Sequence, residues 1–167
     1  PDCLDNTEDL ISYVRGNYVD GCRSRRTGDG VWKLGDIVYS TPVAVHYDEY
    51  SMVYVGANDG MLHAFRLGKL KGQEDDLHPA KLDCSKDPSN CSPDKLGREE
   101  WAFVPNNAMP YLRFLANPNY SHINTVDLKP YIIEKQGNNK KILIGGMRFG
   151  GATGAGDSQS PDVDSVN

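Results

Sequence analysis

The spacing of apolar residues changes character along the chain. In Asn6-Thr7-Glu8-Asp9-Leu10-Ile11-Ser12-Tyr13-Val14-Arg15, Leu10, Ile11 and Val14 fall on one face, which predicts a short helix over about 7–15. Asn6 or Thr7 can cap it, Glu8 and Asp9 suit its first turn, and Gly16 suits the position past its end. Residues 17–30 are polar, bring Arg23, Arg25 and Arg26 close together, and read as a loop. From Trp32 the period drops to two. Ile37–Tyr39, Val43–His46, Met52–Gly56, Met61–Phe65 and Glu100–Val104 read as short strands. Asn58-Asp59-Gly60 marks a hairpin turn, because these residue types tolerate the positive φ angles that tight turns need.

The stretch 68–98 is charged and proline-containing and reads as an exposed insertion. Asn107 as a cap and Pro110 in a first turn predict a helix at about 108–116. Residues 131–134 and 141–145 read as two more strands around Gly137-Asn138-Asn139, and 150–167 as a Gly/Ser/Asp-rich flexible tail or loop. Three parts follow: an entry segment 1–31, a β unit 32–149 with its insertion, and the segment 150–167.

Charge and composition narrow the function classes. The 167 residues carry 18 Lys and Arg against 23 Asp and Glu, a net charge of −5, which argues against a nucleic-acid binder that works by neutralising phosphates. Gly 17 and Pro 10 favour turns over long helices. No apolar run is long enough to span a membrane. The chain starts at Pro1 without a signal-peptide pattern, and it reads as a processed product or a piece of something longer.

Four cysteines, Cys3, Cys22, Cys84 and Cys91, allow three disulfide connectivities. Their spacing favours Cys3–Cys22 and Cys84–Cys91, each closing a local turn-rich segment and implying an oxidising compartment; four free thiols in a reducing one is the competing reading. Neither a CxxC nor a CxxCH occurs, which argues against a zinc or haem site.

Candidate chemistry is sparse. His46, His63, Asp59 and Asp127 invite a metal or catalytic assignment. His63 follows the apolar Leu62 on a strand, so it faces the other side and is expected to be a packed or half-exposed strand residue; His46 is expected to make a surface hydrogen bond. His122 and Asp127 are expected to lock a loop through side-chain to backbone bonds. Asp157, Asp162 and Asp164 are weak calcium candidates, since the glycine and glutamate of an EF-hand loop are missing and a solvated tail is the plainer account. No G-x-S-x-G elbow, Walker loop or H-E-x-x-H is present, and no catalytic residue is assigned.

Five stretches stand in a meaningful order: WKLGDIVYSTPVAV (32–45), VYVGANDGMLHAF (53–65), EEWAFVPNN (99–107), YSHINTVD (120–127) and ILIGGMRFGG (142–151). Together they resemble the C-terminal quinoprotein-like β-propeller of PilY/PilC-type proteins, which are type IV pilus biogenesis factors and tip adhesins. The resemblance implies an all-β chain holding one complete propeller blade and the start of a second. It implies a non-enzymatic structural and adhesive role at the periplasm, the outer-membrane surface or the pilus tip. It also implies partners: the remainder of the propeller or another polypeptide completing it, pilin or minor pilins, and a host-cell or abiotic surface. Any calcium would sit elsewhere in the full-length propeller. The alternative is a fragment of a quinoprotein oxidoreductase binding pyrroloquinoline quinone, against which stands the lack of an adjacent cysteine pair.

Overall fold

The computed structural model describes residues 3–71, 81–83, 85, 88–90, 96–135 and 140–151. Helix α1, Thr7–Val14, begins where Asn6 accepts hydrogen bonds from the backbone N–H groups of Glu8 and Asp9. Its inner side joins a small core of Cys3, Tyr13, Cys22 and Ala116, with Leu4, Leu10 and Val19 packed against it. Cys3 and Cys22 are joined by a disulfide whose Cα atoms lie 5.3 Å apart. Two short strands follow, β1 (Arg26–Thr27) and β2 (Gly30–Val31), paired antiparallel.

The body of the chain is a four-stranded antiparallel sheet. Strands β3 (Val43–His46), β4 (Ser51–Gly56) and β5 (Leu62–Leu67) meander in sequence order. A small ladder of β6 (Lys69–Lys71) and β7 (Lys81–Asp83) then precedes β8 (Arg98–Phe103), which pairs with β5. The register puts Val45, Met52, Tyr54 and Ala64 on one face. These side chains are buried together, with Ile132 and Leu143 packed over them. Those two come from a second sheet of β9 (Tyr131–Glu134) and β10 (Lys141–Ile144). Between β8 and β9 a turn of 3-10 helix at Met109–Tyr111 leads into α2 (Leu112–Ala116), and α2 packs beside α1.

Alternation explains which way the second sheet points. Ile132 and Leu143 are paired across it and turn inward. Their neighbours Tyr131, Ile133, Ile142 and Ile144 share the opposite face, where 42–65% of each residue is exposed.

Two expectations need correction, and the insertion 68–98 contains the paired strands β6 and β7. Ile37–Tyr39 is not a strand: it stays exposed and unpaired, because the segment around it is engaged in hydrogen bonds to the hairpin tip instead. Strand β8 begins at Arg98, because its register continues to Arg66 past a bulge between Ala64 and Phe65. Cys84, Cys91, the turn Gly137-Asn138-Asn139 and the acids Asp157, Asp162 and Asp164 lie outside the described residues. Among the described residues, no helix is long and apolar enough to cross a membrane.

Candidate functional site

The loop between β4 and β5 does more than reverse the chain. Gly60 takes φ +89°, the left-handed conformation that glycine adopts without steric cost. Asn58 and Asp59 are buried, only 2% and 8% exposed. A buried polar side chain must find partners, and here the partners come from distant segments. The Asn58 amide donates to Asp36 (2.8 Å), and its carbonyl oxygen accepts from the backbone N–H of Thr125 (3.0 Å). The Thr125 hydroxyl accepts from the Gly60 N–H (3.0 Å) and donates to the Ala57 carbonyl (3.1 Å). Asp59 accepts from the N–H groups of Gly35 (2.7 Å) and Met61 (3.2 Å).

His63 lies on the sheet face opposite the core of Val45 and Ala64, as alternation from Leu62 requires. It is buried, with Nε2 3.0 Å from Asp59 Oδ1 and Nδ1 2.5 Å from Glu99 Oε1. Burial works against the charged imidazolium. The hydrogen bonds and negative charges of Asp59 and Glu99 outweigh it and hold His63 above its ordinary pKa. Both carboxylates are turned onto the one imidazole, so the trio is a clamp joining the hairpin tip to β8.

Nearby, His122 Nε2 lies 2.9 Å from Asp36. Partial burial opposes ionisation of Asp36, but the hydrogen bonds from Asn58 and His122 prevail and hold its carboxyl below the ordinary value. His122 thus joins side chain to side chain, not to backbone. Asp127 does bond to backbone: it accepts from the N–H groups of Arg148 (2.6 Å) and Phe149 (3.1 Å). His46, exposed on the edge strand, pairs with Ser51 at 2.8 Å, its direct cross-strand neighbour. Among the described residues, no group of three or more His, Cys, Asp or Glu side chains is placed to hold a metal ion.

The five sequence stretches therefore converge. Asp36, the Asn58–Gly60 tip, Glu99, Thr125 with Asp127, and Arg148–Phe149 come one from each, and they interlock at one end of the sheet. The closeness is steric as well. A Cβ on Gly56 would lie 2.2 Å from the Val126 carbonyl oxygen, and one on Gly150 2.1 Å from that of Thr125. Sequence reasoning missed Asp36, Glu99 and Thr125 as members of this cluster. Their only signal was membership of the same five stretches.

Comparison with curated proteins adds the family. The chain is 35% identical, over an alignment of 181 residues covering 85% of its length, to a type IV pilus biogenesis factor PilY1 homolog of Xylella fastidiosa. It belongs to the PilY1 family of type IV pilus biogenesis factors. The PilY1 factor of Pseudomonas aeruginosa is 27% identical over 84% of the chain, and a further Xylella fastidiosa homolog 30% identical over 70%. The chain spans only about a tenth of the length of these PilY1 relatives (10%, 12% and 8%). No family model and no solved structure matches it.

Proposed function

We propose that the chain is the opening segment of a quinoprotein-like β-propeller in a longer type IV pilus biogenesis protein, and that it acts as a non-enzymatic scaffold for pilus assembly and surface attachment. On this reading residues 1–31 form a disulfide-linked entry segment, 32–149 the first blades with the insertion 68–98, and 150–167 a connecting loop or tail. Its partners are the rest of the propeller, pilin or minor pilins, and a host-cell or abiotic surface. Its place is periplasmic or extracellular, in keeping with the disulfide.

One observation carries the reading. The four-stranded sheet has the strand count and antiparallel meander of a propeller blade. The β9–β10 ribbon lies on it as a following blade would, and itself turns Tyr131, Ile133, Ile142 and Ile144 outward. A two-stranded ribbon with an uncovered apolar face is not a stable ending in water; a further blade laid on that face would complete it. The polar interlock at the hairpin tip supports a structural role, since its carboxylates and imidazoles are already committed to one another.

The test is the double variant Ile133→Asp with Ile142→Asp in the full-length protein, assayed for surface pili and for folding by limited proteolysis. Loss of pili with a protease-sensitive protein is the expected result. Wild-type piliation and protease resistance would overturn the reading.

A further inference from the structure

A cavity of about 250 Å³ lies between α1, the segment 32–36 and the hairpin tip. Its wall carries three cations, Arg23, Arg25 and Lys33, and three aromatic rings, Tyr13, Trp32 and Tyr120. The guanidinium carbon of Arg25 sits 3.9 Å above the Tyr13 ring, and that of Arg23 3.9 Å above the Tyr120 ring. Tyr13 also fixes their edges: Arg25 donates to its carbonyl, and Arg23 Nε donates to its hydroxyl at 3.2 Å. None of the three cations forms an ion pair among the described residues. Arg25 Nε is buried and has no hydrogen-bond partner among the described residues. Two acids, Asp36 and Asp59, also reach the wall, but both are taken, Asp36 by Asn58 and His122, and Asp59 by Gly35, Met61 and His63.

Partly buried guanidinium groups are usually paired. Here three cations face two carboxylates that are hydrogen-bonded elsewhere, so the wall carries a net charge of one positive unit. That excess suits a monovalent anion, whereas a phosphate dianion would add a second negative charge beside Asp36 and Asp59. A tyrosine ring covers one face of each guanidinium and Tyr13 takes one N–H group of each, which leaves their other N–H groups for an acceptor in the guanidinium plane, the direction from which a carboxylate is held. Trp32, 67% exposed, stands at the rim of the same cavity. Exposed tryptophan beside arginine is the composition of a protein-interface hot spot.

We propose that this cavity receives an Asp or Glu side chain of a partner polypeptide, held by Arg23, Arg25 and Lys33, with Trp32 packing against the partner's backbone. Every residue named in this site belongs to the present chain.

The experiment is calorimetric titration of the full-length protein with a capped Gly-Glu-Gly tripeptide, its Gly-Gln-Gly counterpart and inorganic phosphate. The Glu peptide should bind saturably and the Gln peptide at least tenfold more weakly. Lys33→Gln, at an exposed side chain outside the core, should weaken the Glu peptide by about tenfold, the worth of one charge-assisted contact. Arg25→Gln should abolish binding, and Arg23→Gln provides the same check should Arg25→Gln fail to fold. Equal affinity for the Glu and Gln peptides, tighter binding of phosphate, no saturable binding, or indifference to Lys33→Gln together with Arg23→Gln would each overturn the proposal.

Discussion

Replacing Asp59 with alanine removes more than a turn residue. Its carboxylate holds the N–H groups of Gly35 and Met61 and one ring nitrogen of His63. Asp59→Ala leaves both N–H groups without their partner in a half-buried setting and leaves His63 with Glu99 alone. Each orphaned buried donor costs about 1–3 kcal/mol, so the two N–H groups and the weakened imidazolium together should cost about 3–5 kcal/mol, a large effect for one side chain. Hydrogen exchange of peptides spanning 32–36 and 57–64 in the full-length protein reads this locally. Protection there should fall by about a hundredfold or more, and Asp59→Asn should fall between the two. The pH dependence adds a second readout. His63 is held above its ordinary value of 6.5, so its contribution is complete below about pH 6.5 and is lost as pH rises through the folded-state value. The charged groups around it are Asp59 and Glu99, with Arg15 and Lys33 along the same groove. Wild-type protection should therefore decline above pH 6.5, and Asp59→Ala should flatten most of that decline. If Asp59→Ala leaves protection within a few-fold of wild type, or leaves the pH profile unchanged, the clamp is not holding the tip.

Other expectations are simpler to state. Non-reducing peptide mapping should link Cys3 to Cys22, and Cys3→Ser with Cys22→Ser should lower the stability of the helical entry segment by about 3 kcal/mol. The same mapping tests the proposed Cys84–Cys91 bridge, which free thiols at those positions would refute. Gly60→Val should lower the melting temperature through a cost of about 1–2 kcal/mol or more, because φ is +89° and a Cβ would meet Leu112 Cδ2 at 2.8 Å. Asp127→Ala should cost about 2–4 kcal/mol by freeing the N–H groups of Arg148 and Phe149, which exchange at those two amides would show.

The strands and the first helix were legible because each has a local cause. Short apolar, β-branched and aromatic runs bounded by turn residues mark β3, β4 and β5, and Asn6 with Glu8 and Asp9 marks the start of α1. Ile37–Tyr39 misled because β propensity cannot tell whether a partner strand is available, and among the described residues none pairs with it. The hairpin tip was legible as a turn but not as a junction. Asn and Asp are common in turns for conformational reasons alone, so nothing local distinguishes an exposed Asn58 from one buried under a segment more than sixty residues away. The His63 clamp was half visible: alternation gave its face, but Glu99 reaches it through a bulged pairing that no periodicity encodes. The cationic cavity was hidden in a stretch that reads as a polar loop, because the stacking of Arg23 and Arg25 on Tyr120 and Tyr13 is set by the packing of α1 beside α2.

The central claim is that a further blade covers the outer face of the β9–β10 ribbon. A single cysteine at Ile142→Cys, labelled with a small thiol reagent, tests it directly, with the unsubstituted protein as the background. In the isolated 167-residue chain, where Ile142 is 53% exposed, the thiol should react at the rate of an open surface position. In the full-length protein it should react at least tenfold more slowly. Equal rates in the two would show that nothing packs on this face and would contradict the propeller account.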